Sequence, residues 1–235
     1  MLYQINLEKI LFLDIETVPV FPAYTDMPER LRKHWDRKAT RIAPEPGVTP
    51  DQLYPQAGIY AEFGKVICIS SGFFRNGEFR LKSFAGDQED ELLTDFASLL
   101  KNHFNTPENL LFDNNGKEFN YSFLSRRMLV NGISLPPILN LAGKKPWDVK
   151  HLDTMELWKF GDYKNYTSLD LLAYLFGIDT PKDDMDGSMV SEVYYVEKDL
   201  EKIIEYCQKD TLTVAQLFLR YLGRPFLEQE KVTIV

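Results

Sequence analysis

Histidine and cysteine are scarce in this chain, with three and two among 235 residues. His34, His103 and His151 are scattered, and Cys68 and Cys207 lie far apart, so no zinc-ligand spacing and no nucleophilic triad can be assembled from them. A disulfide scaffold is excluded as well. Buried thiols in a reducing compartment are the expectation. No stretch approaches the length of an apolar membrane span, and Met1 to Ile10 has neither a basic leader nor an apolar core of signal-peptide length. The sequence therefore reads as cytoplasmic, with no membrane partner. Positive charge is in deficit too: 27 Lys and Arg against 35 Asp and Glu leave a net charge of −8 and a pI near 5.0. That argues against broad non-specific nucleic-acid binding but leaves room for a local basic groove. There are no repeats or low-complexity tracts.

Apolar residues, at 44% with 13% aromatic, suffice for a core, which excludes global disorder. The length suits a single domain, residues 1–235, with an insertion at about 20–60. Residues 9–16 read as a first strand. The segment from Pro19 to Ala57 is polar and Pro-rich, with a helix around Glu29–Arg41 and few apolar clusters of core size. Gly64–Ser70 and Glu78–Phe84 read as strands joined by the hairpin turn Asn76-Gly77. Asp87 is placed to cap a helix carrying Leu92, Leu93, Phe96, Leu99 and Leu100 at helical spacing. Asn109–Phe112 is a short strand leading through Asn115-Gly116 into a helix from near Phe119 to Asn131-Gly132. His151–Leu157 fits either a strand or a helix start. Thr167–Asp170 resembles a capping box before a helix closed by Gly177, and the longest helix runs from about Lys198 to Leu222. Three antiparallel strands followed by alternating helices and strands indicate an α/β domain with a mixed sheet flanked by helices.

Within the first strand, Leu11-Phe12-Leu13-Asp14-Ile15-Glu16-Thr17, two carboxylates stand two residues apart and point to the same face. Adjacent buried negative charges are costly, and a divalent cation removes that cost. Taken alone, the pair fits a solvated strand end equally well. In the last helix Leu200, Ile203, Ile204, Cys207, Val214, Leu217 and Tyr221 form one apolar stripe, and Asp210 falls on it. Tyr206 sits one turn before Asp210, within reach of it. Asp210 read alone also fits a stripe edge that reaches water. Together, Asp14, Glu16 and Asp210 make a hard oxygen set suited to Mg²⁺ or Mn²⁺, ions that can activate water for in-line displacement at phosphorus, commonly in pairs.

The strand Phe12–Pro19 and Tyr206-x-x-x-Asp210 resemble the first and third motifs of the DEDDy 3′–5′ exonucleases. The resemblance is to the small stand-alone bacterial group related to the proofreading exonuclease domain of family B DNA polymerases. Ala57–Lys65, Asp162–Asp170 and Lys182–Ser188 look like that group as well, so the likeness covers about residues 9–222. It implies a ribonuclease H-like fold and metal-dependent removal of nucleotides from the 3′ ends of single-stranded DNA or RNA. It also implies that Asp14, Glu16 and Asp210 hold the first metal, that Asp14 bridges to the second, and that Tyr206 orients the attacking water.

One motif departs. The family's second motif, His-Asn-x-x-x-Phe-Asp, reads here Asn114-Asn115-Gly116-Lys117-Glu118-Phe119-Asn120, so Asn120 stands at the position of the fourth catalytic carboxylate. An amide brings no charge, and Mg²⁺ relies on ligand charge, so a weakened second metal site and reduced activity are expected. Asp113 and Glu118 are the nearby carboxylates able to compensate, although Glu118 should point elsewhere. The alternative reading is a catalytically silent nucleic-acid-binding module that kept the fold.

Lesser candidates are weaker. Asp184-Met185-Asp186-Gly187 fails as a calcium loop because Lys182 and Val193 occupy its first and twelfth positions. Asp153 is expected to serve as a structural hydrogen-bond acceptor. Arg126, Arg127, Lys144, Lys145, Lys150, Lys159 and Lys164, interleaved with Trp147, Trp158, Tyr163 and Tyr166, suit either a single-strand path or ordinary solvated faces. Nothing in the chain reads a 2′-hydroxyl, which leaves DNA and RNA both open.

Overall fold

The structure, a computed structural model, describes residues 4–162, 166–178 and 185–235. The described strands are β1 (Ile10–Pro19), β2 (Gly64–Arg75), β3 (Glu78–Ala85), β4 (Leu110–Asp113), β5 (Leu152–Asp153) and β6 (Val232–Ile234). They form one sheet in the order β5-β4-β1-β2-β3-β6. β1, β2 and β3 are antiparallel, whereas β4 runs parallel to β1, β5 to β4, and β6 to β3. The helices are α1 (Glu29–Ile42), α2 (Pro50–Leu53), α3 (Glu89–His103), α4 (Asn120–Val130), α5 (Thr154–Lys159), α6 (Leu169–Phe176), α7 (Val190–Glu192) and α8 (Leu200–Tyr221).

Strand alternation divides the core. Leu11, Leu13, Ile15 and Leu111 pack with Leu93, Phe96 and Leu100 of α3 and Phe123 and Leu124 of α4. Ile10, Phe12 and Phe112 face the other way, onto Leu172 of α6 and Val214, Leu217 and Phe218 of α8. The sheet is thus sandwiched between helices, as a mixed sheet with buried faces requires.

Most sequence expectations map onto these elements. Asn76 (φ 52°) and Gly77 (φ 84°) both adopt the left-handed backbone that a tight hairpin turn demands. Ser168 Oγ accepts from the Leu171 N–H, and Gly177 (φ 65°) ends α6. The ambiguous stretch after His151 is both things: the two-residue strand β5 runs directly into α5.

Three expectations change. Gln88, not Asp87, holds the N-cap position of α3, and Asp87 instead accepts a hydrogen bond from the Tyr194 hydroxyl at 2.6 Å. The segment after β1 has a small core of its own, against the expectation of few core-sized clusters. Trp35 is fully buried among Met27, Ala39, Leu53, Tyr54, Ala57 and Phe63, and its indole N–H donates to the Pro50 carbonyl at 2.8 Å. Its apolar residues are too widely spaced in sequence to register as a cluster. β6 near the C-terminus is also additional to the expected strands, because three residues give no periodic signal.

Candidate metal centre

The register between β1 and β2 is unbroken from Phe12 to Glu16 and shifts only between Glu16 and Thr17. Alternation therefore carries Asp14 and Glu16 onto the face of Phe12, the face covered by α8. Asp14 is half-buried and Glu16 is buried. Their side chains hydrogen-bond to each other. Burial first, then the charges of Asp14 and Asp210, push the Glu16 carboxyl well above the usual carboxylate range. The strand pair predicted from alternation and the helical aspartate predicted from the stripe thus act on one another in space.

Tyr206 is buried, and its hydroxyl hydrogen-bonds to the Asp210 side chain one turn along α8. Burial and the charges of Asp210, Glu16 and Asp14 raise its phenol above its ordinary value, so it is protonated at neutral pH. Tyr206 also lines a cleft of about 370 Å³ with Met185, Lys202, Glu205 and Lys209.

Cys207, which its place on the apolar stripe assigns to the core, also touches this centre. Its Sγ lies with carboxylate oxygens of Asp14 and Glu16 in a set whose members are all within 4.8 Å of one another. It donates to the Asp14 carbonyl at 3.4 Å and pairs with the Cys68 thiol. Burial raises the thiol well above its ordinary value, so it remains protonated and braces the strand instead of competing as a thiolate. The available signal is its position one turn from Asp210. As donors, the three carboxylates fit a hard divalent cation: all are oxygen, and the strongest charge effects on Glu16 share its sign.

Asn120 opens α4 on the opposite side of the sheet from α8 and is buried. Its amide nitrogen donates to Oδ2 of Asp113, the last residue of β4. Asp113 is fully buried, and the Asn114 backbone N–H donates to its Oδ1 at 2.6 Å. Burial and the Asp14 charge raise the Asp113 carboxyl well above its usual range, while its two hydrogen bonds oppose that shift. Gly116 makes room for this arrangement: a Cβ there would fall 2.5 Å from the Asp113 Cβ. Glu118 is exposed, as expected of a side chain that points elsewhere. Asn114 accepts from the Thr154 hydroxyl at 2.7 Å.

The remaining candidates take structural places. Asp153 caps α5 and accepts from the backbone N–H groups of Met155, Asn115 and Lys117 at 2.9, 3.2 and 3.2 Å. His151 is buried, accepting from the Leu111 N–H through Nδ1 with Nε2 against the Ile138 carbonyl. In the basic stretch, Arg127 is buried against Glu89, and Trp158 packs on Phe176 and Tyr221. Trp147 and Tyr166 are exposed, and Lys145 lies over the Trp147 ring. Asp186 holds a turn by accepting from Ser188. Tyr163, Lys164, Lys182, Asp183 and Asp184 lie outside the described residues.

Residues 59–231 match the family described as predicted 3′–5′ exonucleases related to the exonuclease domain of PolB. That span contains Asp113, Asn120, Tyr206 and Asp210 but begins after Asp14 and Glu16. The fold is similar to that of the family B DNA polymerase from the hyperthermophilic archaeon Pyrobaculum calidifontis, with a TM-score of 0.53 and 15% identity over 91% of this chain and 24% of the polymerase. The chain therefore spans about a quarter of that polymerase, and the likeness establishes a ribonuclease H-like fold. No curated protein matches the chain.

Proposed function

The chain belongs to the family of predicted 3′–5′ exonucleases related to the exonuclease domain of PolB, and from that premise we propose that it removes nucleotides from 3′ ends of single-stranded DNA or RNA. Asp14, Glu16 and Asp210 would hold Mg²⁺ or Mn²⁺. The observation that carries this reading is Glu16, a buried carboxylate whose strongest charged neighbours, Asp14 and Asp210, are also carboxylates. A folded chain keeps such an arrangement where something of opposite charge is to be bound. When present, a divalent ion there supplies an acidified water and offsets charge on the phosphoryl oxygens.

The protein's own groups do the positioning. Asp14 and Glu16 sit on β1 in regular register with β2, opposite Ser70 and Cys68, which sets the direction of their side chains. Tyr206 keeps its proton and, braced by Asp210, presents a phenol that orients the attacking water. In-line attack at phosphorus breaks the bond to the 3′ oxygen of the preceding nucleotide and releases a nucleoside 5′-monophosphate. The cleft beside Tyr206 carries Asp199, Glu201 and Glu205 as well as Lys202 and Lys209, and Lys202 pairs with Glu197 at 3.2 Å, which leaves Lys209 as a cation for a phosphate contact. The sheet and its helices form the catalytic unit, with residues 20–60 as an insertion. The free, buried Cys68 and Cys207 support a reducing, cytoplasmic setting.

One observation favours the second reading, a silent binding module: Asn120 stands where a carboxylate is expected, and its amide nitrogen is committed to Asp113. The test is stepwise shortening of 5′-labelled single-stranded DNA and RNA in Mg²⁺ and in Mn²⁺. Wild type should degrade at least one substrate from its 3′ end, and Asp14→Asn or Asp210→Asn should slow it on the order of a thousandfold. Intact oligonucleotide with both ions, together with a gel shift of the same strand, would establish the silent module instead.

A further inference from the structure

On the side of the sheet away from α8, Asp113 is a further buried carboxylate with like charges for neighbours. Asp113 has 0% exposure, and the charges acting on it, those of Asp14 and Asp153, have its own sign. β4 pairs in parallel with β1, with Phe112 opposite Phe12. Asp113, the last residue of β4, therefore falls one residue short in register of Asp14, which lies midway along β1 just past the stretch that pairs with β4.

Its neighbour Asp153 shows what a purely structural aspartate looks like here. That side chain is saturated by three backbone N–H groups and caps a helix. Asp113 has one backbone donor, on Oδ1, and the Asn120 amide on Oδ2. Each oxygen has accepted one neutral donor and keeps a lone pair. The group is thus held in a defined orientation, keeps an open lone pair on each oxygen, and lies in the field of Asp14.

We infer that Asp113 supplies the fourth carboxylate of the metal centre, holding a second divalent cation together with Asp14, and that Asn120 is a positioning residue that orients it. The inference rests on the metal-dependent reading proposed above. It moves the fourth charge from the first turn of α4 to the end of β4, across a single hydrogen bond, and so removes the main reason to expect a crippled second site.

Mn²⁺ titration of the metal-free protein, by calorimetry and by electron paramagnetic resonance of the unbound ion, tests it without any substrate. Wild type should bind two ions. Asp113→Asn, which can still pair with Asn120 after an amide flip, should keep the tighter ion and bind the other at least about tenfold more weakly, while Asp210→Asn weakens the tighter one. The double variant Asp113→Asn/Asn120→Asp should restore the second ion to within about threefold of wild type, a rescue that a merely structural Asp113 would not produce. Circular dichroism reports folding of each variant. A folded Asp113→Asn that binds both ions as wild type does, a folded double variant that binds only one, or a wild type that binds only one overturns the inference and leaves Asp14, Glu16 and Asp210 standing. A wild type that binds no Mn²⁺ overturns the metal-dependent reading as well.

Discussion

Glu89 and Glu16 are buried to nearly the same degree, 8% and 7% exposed, in opposite surroundings. Glu89, at the start of α3, meets Arg127 of α4 in a two-pronged pair at 2.8 and 2.5 Å. It also accepts from the Val66 N–H at 2.8 Å and the Asn131 amide at 3.0 Å. Arg127 reaches on to the Ala61 carbonyl, so the cluster ties α3, α4 and the chain entering β2 together. Glu16 has Asp14 and Asp210 for neighbours instead. Burial of a carboxylate is therefore no guide by itself. The sign of what surrounds it separates a group that completes the fold from one that waits for a cation.

The sharpest way to break this contrast is stability without metal. Glu89→Ala leaves the Arg127 guanidinium buried and unpaired and should cost about 3–5 kcal/mol in urea unfolding. Glu16→Gln removes a group held among like charges and should cost nothing, or raise stability by up to about 1 kcal/mol. Equal losses in the two variants would make Glu16 structural and sink the proposed centre.

His151 adds a third response to burial, which is to give up the charge. Burial lowers its pKa from 6.5 to about 4, with the opposing effect of the Ile138 carbonyl too small to prevent it. Its contribution to stability is complete above pH 6.5 and is lost as pH falls toward 4, because there the unfolded chain binds a proton that the folded one refuses. Between about pH 7 and pH 5 this amounts to about 2 kcal/mol, and His151→Gln should flatten the pH dependence of the urea midpoint by that amount. An unchanged slope would show that His151 titrates freely in the fold.

The smallest effect belongs to Tyr206. Tyr206→Phe keeps the ring that packs against Met185 and Cys207 and removes only the hydroxyl. It should lower kcat roughly tenfold while leaving KM and Mn²⁺ affinity unchanged. A loss of metal affinity in place of kcat would mean that the phenol serves Asp210 and not the water.

Where the signal is local, the amino-acid sequence is legible. The period of two in β1 puts Asp14 and Glu16 on one face, and a one-turn separation puts Tyr206 beside Asp210. Asn76-Gly77, Ser168 and Gly177 announce a turn, a cap and a helix end through their own backbone chemistry. The core around Trp35 is illegible because its members come from several short elements with no common period. Arg127 reads like its solvated basic neighbours because its partner, Glu89, lies 38 positions away.

The sequence by itself determined which carboxylates share a face, for pleat and helical pitch are properties of a few consecutive residues. Only the tertiary structure decided that the strand pair and the helical aspartate converge and that Glu89 is neutralised while Glu16 is not. It also decided that Asp113 is sealed beside Asn120 within the field of Asp14. Those outcomes depend on which distant segments are brought together and on how much water they exclude, and no local pattern encodes either.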